Sequence, residues 1–314
     1  LHRYCDLLCL GTVADVMPLY GENRAFVAAG LQELKSPKRA GLRALMKECG
    51  CKKQDLSAST IGYVLAPRIN AAGRMGQVDK AVELFLTQDL KQAAALAADL
   101  CQLNRQRQQV ESEIYDQAVA MIQAAGSQSA IVLASEQWHQ GVVGIVASRL
   151  SEEFCCPTFL ICLDGDKGKA SSRSYGGFNL FSCLEQLSDL LESYGGHELA
   201  AGFTIQRQNI DTFRESILAL CSEYQASGHC KAALELDCAV DPELLTLANV
   251  DDLSQLEPCG SGCPRPIFYM DGATVEQLSE VGGGKHLRLR LLKRGVHLNA
   301  IFFSATILKS GVTA

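Results

Sequence analysis

Apolar residues recur along this 314-residue chain with two periods, one near 3.6 residues and one of two residues. The helical period predicts three early helices, one starting near Asn23 and the others over Ala40–Glu48 and Val78–Leu86. Between Thr87 and Ala125 there is no Gly or Pro, and apolar residues return every three, four or seven positions. This stretch predicts one long amphipathic helix, or two helices broken near Arg105, of the kind that joins two lobes.

After residue 130, short apolar runs alternate with helical patterns. Strands are predicted at Ala130–Ala134, Thr158–Leu163, Lys169–Ser174 and Ala200–Ile205. Helices are predicted at Gly141–Leu150, Asn179–Glu192 and Ile210–Tyr224. Alternating strands and helices predict an α/β domain.

The pattern becomes strand-rich after Ser227-Gly228. Strands are predicted at Ala233–Val240, Pro266–Tyr269, Thr274–Leu278, His286–Leu292 and Leu298–Ser304. Short strands joined by Gly, Pro and Asn turns favour a small barrel or sandwich. Leucines alternate with Arg288 and Arg290 in the fourth of these strands, which predicts one core face and one basic face.

Composition limits the class of protein. The chain is 47% hydrophobic and 20% charged, which is typical of a soluble globular protein. No uncharged apolar run approaches the roughly 18 residues that cross a bilayer. A formal charge of −6 argues against a histone-like binder of nucleic acid but permits a local basic site.

Fourteen cysteines are scattered through apolar segments, as at Cys162 and Cys183, where a thiol acts as a small core residue. We therefore expect a reducing cytoplasm and few or no disulfides. Three pairs of cysteines lie close together in sequence: Cys5/Cys9, Cys49/Cys51 and Cys259/Cys263. None of them has a second cysteine or histidine pair at the spacing of a zinc site, so a zinc site is not favoured.

Two segments near the start of the chain carry candidate chemistry. Asp15 follows the apolar run Leu7–Leu10, and a carboxylate just past a buried strand is a reasonable metal ligand. Arg68, Asn70 and Arg74 flank small residues in what we interpret as a loop. Such a loop could bind an anion, although salt-bridged scaffolding explains it equally well.

Two segments of the α/β region also carry polar groups. Ser171 and Arg173 lie on a strand with a hydroxyl and a guanidinium that can hold a phosphate, although a solvated edge strand explains them too. Gly195-Gly196-His197 allows close approach of a ligand, and the imidazole can donate to an anion, but a tight turn with a packed histidine is the plainer alternative. His139 is interpreted as a helix cap, and Asp164-Gly165-Asp166 as a hairpin turn.

Six blocks of sequence occur together in one order: Leu10–Leu19 with Asn23-Arg24, Arg68–Met75, Trp138–Leu150, Ser171–Ser174, Tyr194–Phe203 and Leu256–Pro266. In that order they resemble the RecJ single-stranded-DNA exonucleases of the DHH phosphoesterase superfamily. The resemblance covers nearly the whole chain. In the last block, Cys259 and Cys263 stand where the family usually has Phe and Asn.

The resemblance implies an α/β fold in four parts. These are the C-terminal part of a DHH domain over 1–87, a long connecting helix over 88–125, a DHHA1 domain over 126–228, and a truncated OB-fold domain over 229–314. It further implies that the chain is a fragment that lacks the upstream Asp-x-Asp and Asp-His-His motifs and is inactive alone.

The resemblance also implies roles for individual residues. Asp15 would be a metal ligand for one of two Mn²⁺ or Mg²⁺ ions, and Gly195, Gly196 and His197 would face the scissile phosphate. Ser171, Arg173 and Arg74 would hold the 5′ phosphate. Arg68, Asn70, Arg288 and Arg290 are further candidates for binding the strand, and Phe268 or Tyr269 for stacking on its bases.

The function implied for the full-length protein is 5′→3′ exonuclease action on single-stranded DNA in recombination and repair. The implied partners are single-stranded DNA, a RecQ-type helicase and a single-strand-binding protein, for a monomer that does not bind membranes. Two alternatives stay open: a DHH–DHHA1 phosphodiesterase of short RNAs or cyclic dinucleotides, and a non-catalytic DNA-binding relative.

Overall fold

The computed structural model describes residues 2–126, 128–227 and 234–303, which form two compact units. The first unit holds the described residues up to Val16 and from Ala29 to Ser227. The second holds Met17–Ala28 and the described residues from Leu234 onward. No helix in these ranges is long and apolar enough to cross a membrane.

The first half of the chain is helical. Its helices are α1 (Cys5–Ala14), α2 (Gly21–Leu34), α3 (Ala40–Glu48), α4 (Ala58–Thr60), α5 (Ala66–Arg74), α6 (Val78–Leu86) and α7 (Leu90–Ala125). A π-helical turn, Ile61–Leu65, links α4 to α5. The three early helices are confirmed, with α3 and α6 at the predicted bounds.

The long helix α7 is continuous, without a break near Arg105, and its 36 residues span about 54 Å. The Asp89 side chain caps its N-terminus by accepting hydrogen bonds from the backbone N–H groups of Lys91 and Gln92. The helix packs against α3, α5 and α6 and then against α8 (Gln140–Glu153) and the first strand. It therefore joins the helical half to the sheet, as its length and polarity predict.

The α/β part is built on one five-stranded sheet of order β1-β2-β3-β5-β4. Its strands are β1 (Ile131–Ser135), β2 (Thr158–Asp164), β3 (Lys167–Arg173), β4 (Leu191–Gly196) and β5 (Ala200–Gln206). Only β1 and β2 pair in parallel, through the crossover helix α8, and the other pairs are antiparallel. Asp164 ends β2, and Gly165 and Asp166 form the β2–β3 hairpin turn, as predicted.

Helices cover the two faces of this sheet with separate cores. Phe159, Phe203 and Ile205 point to one face, where they pack against α9 (Leu180–Gln186) and α10 (Ile210–Ala226). Leu160 and Cys162 point to the other face, where they pack with residues of α7 and α8. The alternation along β2 thus separates two apolar layers.

The predicted helix over Asn179–Glu192 is wrong in its second half. Helix α9 ends at Gln186, a 3₁₀ turn follows, and Leu191 begins edge strand β4. Leu187, Leu190 and Leu191 are spaced as in a helix, yet all three pack on the α9–α10 core. Pairing of β4 with β5 decides the conformation there, which sequence periodicity does not reveal.

The second unit contains a three-stranded antiparallel sheet of β8 (Thr274–Val281), β9 (His286–Lys293) and β10 (Val296–Phe302). It also contains a small parallel pair, β6 (Cys238–Ala239) with β7 (Phe268–Tyr269), and a short helix, α11 (Leu247–Leu253). The strand predicted over Ala233–Val240 is therefore too long, since only Cys238–Ala239 pairs. Ala233, where one predicted strand begins, and Ser304, where another ends, lie outside the described residues.

Two of the sequence blocks meet inside the second unit. The backbone N–H of Leu19 donates to the carbonyl of Ser261 at 2.6 Å. The Arg24 guanidinium donates to the Leu256 carbonyl at 2.7 Å and to the Sγ atom of Cys263. The Cys263 thiol thus accepts a hydrogen bond from a residue that lies 239 positions earlier in the chain.

Candidate functional site

Asp15 does not follow a strand. Leu7–Leu10 belongs to α1, in which Cys5 and Cys9 are buried one turn apart and Leu8 is 37% exposed. The four-residue apolar run is too short to distinguish the two periods, and the prediction of a strand is wrong. Asp15 is the exposed C-cap of α1, and its N–H donates to the Gly11 carbonyl at 3.0 Å.

Arg68 and Arg74 do not lie on a loop, which corrects that interpretation. Both belong to α5, six residues apart, and so point to different sides of the helix. Arg68 donates to the Val64 carbonyl at 2.6 Å and lies near the thiols of Cys49 and Cys51. Arg68 is therefore held within the helical half, away from Arg74.

Asn70 and Arg74, one turn apart on α5, line an open cavity of about 690 Å³ together with Asp15. Carboxylate and amide oxygens are ligands of the kind that Mg²⁺ and Mn²⁺ accept. Asp15 is the only carboxylate that lines this cavity, and the described residues contain no cluster of three metal-binding side chains. Asp15 could thus supply one ligand, but the described residues do not form a complete metal site.

Arg74 reaches the sheet through helix α8. Its guanidinium donates to the Gly141 carbonyl at 3.3 Å, in the first turn of α8. A Cβ atom at Gly141 would lie 2.1 Å from the Arg74 carbonyl oxygen, so the close approach of α5 and α8 requires glycine there. His139 caps α8 as predicted, since its Nδ1 accepts from the Gly141 N–H at 3.1 Å.

Ser171 and Arg173 lie on β3 facing the same helix. The Arg173 guanidinium donates to the Ser148 hydroxyl at 3.0 Å and to the Ser172 carbonyl at 2.8 Å. A Cβ atom at Gly144 would lie 3.1 Å from the Arg173 Nη2 and 3.5 Å from the Ser171 Oγ. Gly144 thus leaves the space in which these two side chains meet α8.

The guanidinium groups of Arg74 and Arg173 lie close enough to repel each other. Burial lowers the pKa of Arg173, and the positive charge of Arg74 lowers it further. Burial and then the charge of Arg107 lower the pKa of Arg74. Guanidinium groups nevertheless stay protonated in proteins, so both arginines keep their positive charge. Neither of them forms a salt bridge with a carboxylate in the described part of the chain, since the nearby Glu111 is paired with Arg107. A cradle of two unpaired cations and a hydroxyl is suited to a phosphate.

Gly195, Gly196 and His197 lie at the end of the edge strand β4. Gly196 has φ +140°, and a Cβ atom there would lie 2.4 Å from the Ala200 carbonyl oxygen, so only glycine fits. A Cβ atom at Gly195 would meet open space. His197 is exposed, contrary to the packed-histidine alternative, and its Nδ1 accepts from the Leu199 N–H at 3.2 Å.

Strand register brings His197 toward Arg173. Arg173 pairs with Ala200 of β5, and the Ala200 carbonyl accepts the His197 N–H at 2.9 Å. Residues opposite each other in a sheet share a face, so β5 alone separates the two at one end of the sheet. The structure therefore brings together the phosphate cradle and the glycine–histidine turn within one unit.

The basic face predicted on β9 is present. Arg288 and Arg290 line a groove of about 420 Å³ with residues of β8 and β10. Arg290 forms an ion pair with Glu276 at 3.4 Å, whereas Arg288 has no ion-pair partner among the described residues. Phe268 and Tyr269 are exposed but lie on β7, outside this groove.

Sequence reasoning missed the residues that shape the cradle. Gly141, Gly144 and Ser148 position Arg74 and Arg173, yet they stand in an ordinary helical pattern. Two glycines in the first two turns of a helix were the available signal, since glycine inside a helix is unfavourable unless close packing requires it.

Comparison with known proteins identifies two domains. Residues 127–223 match the model of the DHHA1 domain, and residues 236–313 match that of the RecJ OB domain. Mixed α/β architecture, with a DHHA1 domain before an OB domain, is thereby confirmed.

Curated relatives carry the name single-stranded-DNA-specific exonuclease RecJ. The protein of Bacillus subtilis is 35% identical over 98% of this chain and 40% of its own length. That of Thermus thermophilus is 37% identical over 95% of this chain and 42% of its own length, and that of Escherichia coli 31% over 92% and 52%. The chain thus spans about half the length of the curated relatives it matches.

Crystal structures of Thermus thermophilus RecJ superpose on the whole chain. The complex with Mg²⁺ gives a TM-score of 0.86 at 36% identity and the complex with Mn²⁺ gives 0.84 at 35%. Both matches cover 100% of this chain, against 47% and 45% of the Thermus chains.

Proposed function

Because this chain belongs to the RecJ family, we propose that the protein hydrolyses single-stranded DNA from its 5′ end. One observation carries the proposal: Arg74, Ser171 and Arg173 surround a space suited to a phosphate, at the end of the sheet that carries His197. A pocket that fits a terminal phosphate positions the strand end and so selects the direction of digestion.

The division of labour follows from these positions. Arg74, Ser171 and Arg173 bind the 5′-terminal phosphate through charge-assisted hydrogen bonds. The Nε2 atom of His197 donates to the scissile phosphate, because Nδ1 already accepts the Leu199 N–H. Gly195 and Gly196 allow the phosphodiester to approach the backbone of β4.

A divalent ion, Mg²⁺ or Mn²⁺, supplies Lewis-acid activation when bound. Asp15 would contribute one oxygen ligand, and Asn70 lies in the same cavity, while the described residues contain no cluster of three metal-binding side chains. The matched Thermus thermophilus RecJ structures are complexes with the same two ions.

The second unit binds the continuing strand through Arg288 and Arg290, in keeping with the OB domain. Action in recombination and repair, a cytoplasmic location, a monomeric state, and partnership with a helicase and a single-strand-binding protein stay predictions of the resemblance.

The test uses the full-length protein and single-stranded DNA labelled at either end, with a 5′ phosphate or a 5′ hydroxyl. Hydrolysis should proceed from the 5′ end and favour phosphorylated ends. Arg173→Met should reduce that preference about tenfold, the effect of one charge-assisted hydrogen bond. Digestion from the 3′ end would contradict the proposal. So would an Arg173→Met variant whose hydrolysis falls equally on 5′-phosphorylated and 5′-hydroxyl strands.

A further inference from the structure

Strand β3 carries a cation that the proposed function does not use. Lys169 pairs in register with Cys162, and Ser171 with Leu160. Both partners belong to the core on the α7–α8 face. Because directly opposite residues share a face, Lys169 and Ser171 lie on that face too, about 6.7 Å apart at Cα.

Lys169 differs from its neighbour Lys167 in its surroundings. Lys167 lies two residues earlier on the same face and forms an ion pair with Glu192 at 2.8 Å. Lys169 is exposed and has no hydrogen-bond or ion-pair partner in the described ranges. Of two lysines on one strand, only the one nearer the cradle lacks a counter-ion.

The groups that surround Lys169 do not neutralise it. Cys162, opposite on β2, stays a neutral thiol because burial raises its pKa to about 11. Thr204, opposite on β5, is uncharged, and Glu192 of β4 is engaged by Lys167. Asp164, the next residue of β2 on this face, lies opposite Lys167 and forms no ion pair with Lys169 in the described ranges.

We propose that Lys169 is the third cation of the phosphate cradle and that it selects a terminal phosphate over an internal one. A terminal phosphate monoester carries about −1.5 to −2 charges at neutral pH, whereas an internal phosphodiester carries one. A third cation therefore favours a strand end over a position within the strand. This inference rests on the proposed function, and it assigns specificity for strand ends to one residue.

The experiment measures binding of three oligonucleotides by the full-length protein at fixed salt. They carry a 5′ phosphate, a 5′ O-methyl phosphate with a single charge, or a 5′ hydroxyl. In Lys169→Met, the preference for phosphate over methyl phosphate should fall about tenfold. Lys169→Arg should restore it, and the matched control Lys167→Met should change it less than about twofold, since Lys167 is already paired.

Two results would overturn the inference. If Lys169→Met left the preference for phosphate over methyl phosphate unchanged, Lys169 would not contact the terminal phosphate. Equal loss of affinity for all three oligonucleotides would make it a general backbone contact. Hydrolysis by the wild-type protein is measured separately. If the protein binds the 5′ phosphate but does not hydrolyse the strand, the proposed function is contradicted while the inference about Lys169 stands.

Discussion

At the scale of single residues, the glycine–histidine turn shows how backbone geometry presents a side chain. Gly196 occupies a conformation closed to other residues, and the His197 N–H and Nδ1 both bind nearby backbone groups. The imidazole is thereby held in one orientation while staying exposed. Such preorganised donors act most strongly where charge develops in the transition state.

For His197→Ala in the full-length protein, we expect kcat on single-stranded DNA to fall about 100-fold with KM changed less than threefold. The reason is that a donor to the scissile phosphate acts mainly in the transition state. Single-turnover kinetics would measure the chemical step, with circular dichroism as the control for folding. A rate within twofold of wild type would place His197 outside the reaction.

At the scale of elements, helix α8 organises the cradle by close approach on two sides. Gly141 allows contact with the end of α5, and Gly144 allows contact with Ser171 and Arg173 of β3. Ser148, one turn after Gly144, accepts from Arg173. Helix α8 thus brings together Arg74 of α5 and Arg173 of β3, which lie 99 positions apart in the sequence.

Gly144→Ala should separate stability from binding. Alanine favours a helix interior by up to about 1 kcal/mol, so thermal unfolding should be unchanged or slightly higher. The new methyl group would lie 3.1 Å from the Arg173 Nη2 and displace the guanidinium. We expect the preference for a 5′-phosphorylated oligonucleotide to fall about fivefold.

Gly62→Ala is the matched control, because its Cβ atom would meet only ordinary contact with Val13 at 3.7 Å. It should leave the preference unchanged. An unaltered preference in Gly144→Ala would show that the cradle tolerates the methyl group.

At the scale of the whole molecule, the chain has a net charge of −6 and yet contains two basic sites, the cradle of the first unit and the groove on β9. In the proposed function, the cradle of the first unit binds a strand end. The groove on β9 presents Arg288, which has no paired carboxylate among the described residues. Contacts to internal phosphates add affinity without regard to the terminus. We therefore expect the first unit to bind the terminal phosphate and the second unit to bind internal phosphates.

Arg288→Ala should weaken binding of 5′-phosphorylated and 5′-hydroxyl strands equally. It should also reduce the slope of log affinity against log salt by about one, the value for one lost phosphate contact. Arg294→Ala is the control, since Arg294 is paired with Asp241 at 2.7 Å. A loss confined to phosphorylated ends would contradict this assignment of Arg288.

Local pattern alone determined the long helix α7, the bounds of α3 and α6, the alternation along β9 and the six blocks that led to the family. Each depends on periodicity or residue identity within a short window. Burial of Cys101, Cys162, Cys183 and Cys221 likewise follows from their apolar surroundings.

Tertiary structure decided the rest. Leu7–Leu10 forms a helix and Leu191 begins a strand because packing and strand pairing outweigh weak local preferences. The cradle joins Arg74 to Ser171 and Arg173 only through the close contacts of α8, and Arg68 is excluded because α5 turns it to another side. Contacts between residues so distant in sequence depend on the packing of whole elements, which no local window contains.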